Sequence, residues 1–312
     1  MFKNVMVYRI GEGWSPSLSD VESALQAQRF VGCGATQDKS VGWSEPRGQA
    51  HGPLVESVGG QWIAKLVIES KAVPASVVRR KLDEQVAEIE AATGRKPGKK
   101  EKRNLQDEIL LSLLPQAFAR QSSVLVWIDM ARRRLLLNAA SQGKADEAVS
   151  ALLRALPGLN IGLLQTAVGP QSAMSEWLLA PGADDWPADL CVERECTLKA
   201  TGEDAASIRY VRHHLLSDDV RKHVTEGKLP TQLALSWDGR VAFVLTETLQ
   251  LKKVQFLDGV MDASGTDKEE DRFDADVALS TGLLSPLLDS LIAALGGELE
   301  WGVQPPPDDP PF

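Results

Sequence analysis

Two pairs of closely spaced aspartates are the residues best suited to metal-assisted chemistry. Asp218 and Asp219 are adjacent, and Asp274 and Asp276 are two residues apart. Carboxylate oxygens are preferred ligands of Mg²⁺, and a bound Mg²⁺ could support phosphodiester cleavage. The simpler interpretation is that the first pair begins a helix, where the helix dipole favours acids, and that the second pair lies on a polar strand edge.

The cysteines and histidines offer little support for a metal centre. Cys191 and Cys196 are five residues apart in a predicted strand, so their side chains point to opposite faces and cannot clasp one ion. His213 and His214 are adjacent and diverge in the same way. The sequence therefore predicts no bound metal. Three cysteines are also a small and odd number, which does not fit a disulfide framework.

The segment Gly32 to Ser40 resembles a phosphate-binding loop only superficially. Cys33 and Asp38 stand where that loop requires glycines. Asp38 would also place negative charge where a phosphate must lie. We therefore expect no nucleotide and no other cofactor.

Charge is unevenly distributed along a chain whose formal net charge is -9. Residues 62–134 carry 15 Lys and Arg against 9 Asp and Glu, whereas residues 258–312 carry 2 against 13. Because salt screens charges beyond about 8–10 Å, a basic face can attract a polyanion although the whole chain is acidic. The densest basic run, residues 95–103, fits either such a contact or an ordinary solvated helix end.

Length and composition predict a folded protein of about two domains. The chain has 312 residues, of which 43% are hydrophobic and 25% charged, so it can bury substantial cores. The first ten residues do not have the pattern of a secretory signal, and the most apolar stretch, residues 277–295, is interrupted by polar residues and Pro286. We expect a cytoplasmic protein without a membrane span.

The hydrophobic periodicity predicts an α+β fold with antiparallel sheets and helices between them. The prediction has an N-terminal α+β half at 1–165 that includes a basic helical region at 72–120, a C-terminal α+β half at 166–300 and a proline-rich tail at 301–312. Helices are predicted at Val21–Phe30, Ala72–Thr93, Glu101–Leu114, Ala145–Leu156, Ser217–Glu226 and Leu283–Leu295. Strands are predicted at Phe2–Ile10, Gln61–Ser70, Ser122–Met130, Arg134–Ala139, Cys191–Leu198, Ser207–His213, Gln232–Trp237, Arg240–Thr246, Leu251–Leu257 and Phe273–Ser280, and residues 32–53 form an irregular connection anchored by Trp43.

Several short motifs together resemble a known family. They are Phe2-Lys3-Asn4 with Val7-Tyr8-Arg9, residues 107–110 running into 113–118, Trp127-Ile128-Asp129, residues 233–237, residues 272–276 and Thr281-Gly282. On these motifs the chain is identified as a member of the family of the recombination-associated protein RdgC of proteobacteria. The likeness extends to Gly296-Gly297 and leaves out the proline tail.

The resemblance implies a nucleoid-associated DNA-binding protein without catalytic activity. It implies a horseshoe-like subunit that closes into a homodimeric ring, whose positively charged hole surrounds double-stranded DNA, and antagonism of RecA filaments. Single-stranded DNA is a further candidate ligand. Candidate residues facing the DNA are Lys3, Arg9, Lys71, Arg79, Arg120, Arg209, Arg212, Lys228 and Arg240. Candidate dimer-interface residues are Phe118, Gln121, Arg212 and His213.

Two other functions stay open on the sequence alone. One is an Mg²⁺-dependent nuclease that uses Asp274 and Asp276, and the other is a protein-only scaffold whose basic segment is merely solvated. The DNA-binding hypothesis predicts little sequence preference, because phosphate contacts carry no base information. It also predicts that affinity for DNA falls steeply with salt.

Overall fold

The computed structural model describes residues 2–201, 206–257 and 269–300, with the backbone alone for 269–271. This part of the chain contains twelve strands and seven α-helices. The strands are β1 (Val5–Ile10), β2 (Lys39–Ser44), β3 (Val55–Val58), β4 (Gln61–Lys71), β5 (Ala119–Asp129), β6 (Arg134–Asn138), β7 (Ile161–Leu163), β8 (Leu190–Ala200), β9 (Ser207–Val211), β10 (Lys228–Trp237), β11 (Val241–Thr246) and β12 (Leu251–Phe256). The helices are α1 (Leu18–Gln26), α2 (Ala75–Thr93), α3 (Lys99–Leu113), α4 (Gln142–Ala155), α5 (Pro170–Leu179), α6 (Asp218–Thr225) and α7 (Glu269–Ala294).

All twelve strands belong to one antiparallel sheet, which confirms the α+β class. The strand order is β2-β4-β5-β6-β1-β12-β11-β10-β8-β9, with β3 paired to β4 and β7 to β1. The prediction of more than one sheet is wrong, because β1 pairs with β12 through Val5 and Leu251 and so joins strands from both ends of the chain. The β10–β11 hairpin turns at Asp238-Gly239 with φ values of 48° and 61°, as its sequence predicts.

The two faces of the sheet build two hydrophobic cores. Side chains of β1 alternate between them: Met6 and Tyr8 pack in the core covered by α1 and α4, whereas Val5 and Val7 pack in the core that contains residues of α5, α6 and α7. The second core also takes in Trp127 of β5 together with buried residues of β8, β10, β11 and β12. Because strands alternate their side chains with a period of two, each face presents one set to one core.

Helix α7 corrects the prediction of a strand at Phe273–Ser280 and of a helix that starts only at Leu283. One helix runs from Glu269 to Ala294 with Pro286 inside it. Its buried residues recur every three or four positions from Val277 to Leu291, so packing against the sheet favours helix where Pro286 suggests a break. By length and composition, the segment Arg272–Ala294 could cross a membrane, but 56% of its 18-residue apolar window is buried within the protein, as expected for the core helix of a folded domain.

The segment between α1 and β4 also differs from the prediction. Helix α1 starts at Leu18 with Ser17 as its N-cap, three residues before the predicted start at Val21. The predicted irregular connection contains strand β2, which pairs with β4 over its whole length. Trp43 lies in β2 and is fully buried, so its anchoring role is confirmed. Helix α5 and the short strands β3 and β7 are further elements that the sequence did not indicate.

Helices α2 and α3 form an antiparallel hairpin, and both were predicted to within three residues. Strand β4 leads into α2, and α3 returns to β5 after a short 3-10 turn. The left-handed Gly94, with φ 71°, ends α2. Each helix packs mainly on its partner, and Val78 and Ile109 are the buried residues within them.

Candidate nucleic-acid interface

A shallow groove crosses the face of strands β8 to β12 that lies opposite α5, α6 and α7. Leu233 and Leu235 of β10 point into the core, whereas Ala234, between them, faces the groove. The groove has a volume of about 500 Å³. Small residues such as Ala234 and Ala242 form its floor, so the charged side chains around it stand above the sheet surface.

Four cations and two carboxylates surround this groove. Glu195 accepts hydrogen bonds from Lys253 Nζ at 3.0 Å and from an Arg209 guanidinium nitrogen at 2.7 Å. These two bonds, to Lys253 first, hold the pKa of Glu195 below its usual value, so it stays ionised at neutral pH. Glu193 accepts from the Ser236 hydroxyl at 2.7 Å. Arg194, Arg212 and Lys253 line the groove, and Arg209 borders it through its bond to Glu195. The formal charges are therefore four positive and two negative, which leaves a surplus of +2.

The structure thus places two of the predicted DNA-facing residues together and adds two that the sequence did not single out. Arg209 and Arg212 come from β9 and the residue that follows it, and both are exposed. Arg194 of β8 and Lys253 of β12 complete the group. No local motif marks them. The register of β8 is irregular between Val192 and Cys196, which places Arg194 on the groove, and a bulge at Lys253, with φ 53°, does the same in β12.

A second group of predicted residues lies at the base of the α2–α3 hairpin. Lys71 is paired in register with Ala119, and Arg120 with Ser70, so the two residues are adjacent in the sheet but their side chains point to opposite faces. Lys71 Nζ donates to the Gly34 carbonyl at 2.7 Å. Arg79, exposed on α2, lines the apolar groove between α2 and α3.

The remaining four predicted residues are scattered. Lys3 is exposed and precedes β1, so the predicted start of this strand at Phe2 is wrong. Arg9 is engaged with Glu298 at 3.2 Å and with the Leu299 carbonyl at 3.0 Å. Lys228 contacts Glu226 at 3.4 Å, and Arg240 lies 3.8 Å from Asp238 in the β10–β11 turn. Their contact with DNA stays a prediction.

Of the predicted interface residues at the hairpin base, Phe118 is exposed and Gln121 is engaged. The Phe118 side chain is 94% exposed, next to the start of β5. Gln121 donates through its side-chain amide to Glu69 at 2.6 Å, which is the main cause of the lowered pKa of Glu69. Glu69 also accepts a hydrogen bond from the Cys33 backbone N–H at 2.6 Å, so it links the loop that contains Cys33 to Gln121 of β5. This fixed scaffold leaves Phe118 as the free apolar group.

The other predicted interface residues, Arg212 and His213, follow the edge strand β9. Val211 is 53% exposed, so this end of the sheet also offers an apolar side chain beside a cation. The His213 ring packs against Tyr210, with their centroids 5.0 Å apart. Tyr210 donates to Asp219 at 3.0 Å and, chiefly through burial, has its pKa raised to about 12. Asp219, one of the paired aspartates, therefore orients a tyrosine hydroxyl.

Comparison with known proteins identifies the family. A family model described as "Putative exonuclease, RdgC" matches residues 1–298. The chain is 39% identical over 303 residues to the recombination-associated protein RdgC of Dechloromonas aromatica, covering 96% of this chain and 98% of that protein. The chain belongs to the RdgC family. RdgC proteins of Cupriavidus pinatubonensis, at 40% identity, and Bordetella pertussis, at 36%, each match over 95% of this chain and 98% of their own.

The RdgC family description includes the word exonuclease, and the nuclease hypothesis assigns catalysis to Asp274 and Asp276. On a strand, side chains two positions apart share a face. Asp274 and Asp276 instead lie on helix α7, where their side chains are about 200° apart around the helix axis. Asp274 accepts from the Arg47 guanidinium at 2.6 Å. Across residues 2–201, 206–257 and 272–300, no group of three or more His, Cys, Asp or Glu residues is arranged to hold a metal ion.

Proposed function

We propose that this RdgC-family chain is a non-sequence-specific DNA-binding protein, without catalytic activity, that acts as a homodimeric ring around double-stranded DNA. In this proposal it modulates recombination in the cytoplasm, associated with the nucleoid, by occupying DNA and antagonising RecA filaments. It also binds single-stranded DNA through the same phosphate contacts. The observation that carries the proposal is the cationic groove lined by Arg194, Arg212 and Lys253 and bordered by Arg209, on an otherwise acidic chain.

The chemistry of the groove favours phosphate over base recognition. Its cations come from three different strands and stand over small, apolar residues, without a helix that could enter a major groove. Arginine and lysine attract phosphate oxygens of any sequence, and the bound counterions they release make binding depend on salt. Glu195 bonds to Arg209 and Lys253 and so competes with phosphate for these two cations.

Two separated exposed apolar positions support the ring. Phe118 precedes β5, the third strand in the sheet order, and Val211 ends β9, the last strand. A closed ring of two subunits related by a two-fold axis requires two distinct self-complementary contacts. In the proposal, Phe118 with Gln121 forms one contact, and Val211 with Arg212 and His213 forms the other.

The direct test is a salt titration of duplex binding by the wild-type protein. If the four groove cations of both subunits contact phosphate, log affinity should fall with log salt at a slope of about -7, or roughly 10,000-fold between about 50 and 200 mM. Fluorescence anisotropy with two duplexes of unrelated sequence should give equal curves. Sedimentation and negative-stain imaging should show a dimer with a hole. Salt-independent binding, or a monomer, would contradict the proposal.

The nuclease alternative, which agrees with the family description, requires Asp274 to bind Mg²⁺, whereas its contacts indicate a structural role. Arg47 contacts Asp274, pairs with Glu56 at 2.9 Å and lies over the Phe273 ring at 4.6 Å, so Asp274 helps to anchor α7 beside β3. We expect Asp274→Asn to lower the free energy of unfolding by about 0.5 kcal/mol, because the carboxylate is half exposed.

Incubation with Mg²⁺ of supercoiled plasmid and of linear duplex, which supplies the free ends that an exonuclease requires, separates the two functions. We expect neither the wild type nor Asp274→Asn to nick the plasmid or shorten the linear duplex. Cleavage of either DNA by the wild type that Asp274→Asn abolishes, at unchanged circular dichroism, would establish the nuclease and overturn the non-catalytic proposal. Asp276→Asn is the second test variant, because the nuclease hypothesis predicts that it abolishes cleavage as Asp274→Asn does.

A further inference from the structure

A cavity lies at the end of strand β1, and its lining residues all differ from those of the groove on β8 to β12. It has a volume of about 460 Å³, within the usual range of small-molecule sites. Its walls come from the end of β1, the β5–β6 turn, the residue before β7 and the segment after α7. The polar and charged residues that line it are Arg9, Glu12, Arg132, Arg133, Asn160 and Glu298.

Most of the charge around this cavity belongs to a balanced network of ion pairs. The network joins Arg9, Arg132 and Arg134 with Asp129, Asp289 and Glu298. Its centre is the buried Arg134, which lies 2.6 Å from Asp289 and 3.8 Å from Glu298. Three arginines and three carboxylates neutralise one another, so the network holds the walls of the cavity together without a net charge.

Arg133 is a cation outside this network. Its Nε donates to the Ile10 carbonyl at 3.3 Å, and one terminal nitrogen, Nη2, donates to the carbonyls of Gly11 and Trp14. Carbonyl groups carry no formal charge, so these bonds fix the guanidinium without neutralising it. The backbone of Arg133 has φ 52°, where glycine is usually preferred. Arg133 is therefore a positioned cation in the cavity wall, and its Nη1 is not used by these three bonds.

Two exposed side chains, Glu12 and Asn160, line the same cavity. Asn160 packs over the backbone of Gly11: a Cβ atom at Gly11 would lie 3.2 Å from the side-chain nitrogen of Asn160. The Gly11 N–H donates to the Asn160 carbonyl at 2.7 Å, which fixes this contact. Asn160 thus offers a neutral donor beside Arg133. Glu12, between Gly11 and Gly13, is free to turn into water when an anion enters.

We propose that this cavity binds a small phosphate compound, with Arg132, Arg133 and Asn160 as its donors. A guanidinium has five N–H donors, and the bonds described above use only some of those of Arg132 and Arg133. A tetrahedral phosphate presents oxygens in several directions and so reaches donors on separate walls, whereas a planar carboxylate has two oxygens. A double helix, whose major groove alone is about 12 Å wide, does not enter a cavity of this size.

The test measures binding of inorganic phosphate by isothermal titration calorimetry at constant ionic strength, with acetate as the comparison anion. We expect the wild type to saturate at one phosphate per chain and to bind acetate about tenfold more weakly. Asn160→Asp replaces a donor by a carboxylate of the same shape, so it should weaken phosphate binding at least about tenfold. Asn104→Asp, the same change at an exposed position of α3, is the matched control and should bind as the wild type does.

Glu12→Gln is the variant expected to act in the opposite direction. It removes a negative charge from the cavity and should tighten phosphate binding about threefold. Both Glu12 and Asn160 are exposed, so circular dichroism and the thermal midpoint without phosphate should stay those of the wild type in each variant.

The outcomes either support this site or overturn it. A wild type that does not saturate with phosphate, or an Asn160→Asp variant that binds it equally well, would overturn the site. Equal affinities for phosphate and acetate would show a general charge effect and no phosphate site. Duplex binding should be unchanged in Asn160→Asp, because the proposal is independent of the groove on β8 to β12. A parallel loss of duplex affinity would assign the cavity to nucleic-acid phosphate and overturn the small compound as its ligand.

Discussion

Replacing both Arg209 and Arg212 by glutamate should weaken duplex binding roughly 100-fold or more at about 0.1 M salt. Loss of two phosphate contacts in each subunit removes about 1.8 from the magnitude of the salt slope per subunit, and the new carboxylates repel the DNA. The loss should be equal for unrelated sequences, since these contacts carry no base information. Anisotropy titrations with two duplexes over a salt series measure both quantities.

The fold should tolerate this double change. Both side chains are exposed, and the Arg209–Glu195 pair is a surface ion pair, which contributes at most about 1 kcal/mol. Arg212 has φ 55°, but glutamate meets the same backbone constraint as arginine. Unchanged circular dichroism and a thermal midpoint within a few degrees of wild type would show that the binding loss is local.

Two companion variants guard the interpretation. K144E/R154E makes the same change in net charge on α4 and should bind nearly as wild type does. Glu195→Gln removes a negative charge from the groove and releases Arg209 and Lys253 from their ion pairs, so it should tighten binding to DNA. A loss confined to one DNA sequence, or a similar loss in K144E/R154E, would show that the groove is not a non-specific phosphate site.

The parts of the fold that the sequence predicted are those set by local patterns. The β10–β11 hairpin follows from Asp238-Gly239, whose positive φ values match the strands' twist. Helix α2 follows from its apolar spacing and the Gly94 end signal. In both cases the residues that decide the structure lie within a few positions of each other, so no tertiary information is needed.

The parts that it missed are decided by packing between distant residues. Strand β2 has Gly42 and two serines, which give weak β propensity, and it forms because β4 offers a pairing edge. The short apolar pattern of residues 273–280 predicts a strand. These residues form the start of α7 because the helix buries side chains from Val277 to Leu291 against the sheet. The division into halves at residue 165 stays a prediction, while the joined sheet places residues of both halves in one core.

The candidate site shows the same limit. The sequence singled out Arg209 and Arg212 because they lie in or beside a predicted strand. Arg194 and Lys253 join them only through the order β12-β11-β10-β8-β9, which sequence periodicity does not specify. Conversely, Arg9 has a suitable local context, yet Glu298, which is 289 positions away, occupies its guanidinium.

The largest expected effect on stability comes from Gly42→Ala. A Cβ atom at Gly42 would lie 2.5 Å from the Cα of Phe30 and 2.7 Å from its backbone nitrogen. Neither atom can turn away, because the Phe30 N–H donates to the Trp43 carbonyl at 2.8 Å and the Trp43 N–H donates to the Gln28 carbonyl at 3.0 Å. The added methyl must break these bonds or displace the fully buried Trp43.

We expect Gly42→Ala to lower the free energy of unfolding by about 3 kcal/mol, the upper range for overpacking. Urea unfolding followed by tryptophan fluorescence measures it. Gly143→Ala is the matched control: its Cβ meets nothing within 4 Å, and it lies in α4, where alanine should stabilise by about 0.5–1 kcal/mol. If Gly42→Ala unfolded at the wild-type urea concentration, the 28–30 segment could not pack against β2 as described, and the strand pairing at this edge of the sheet would be wrong.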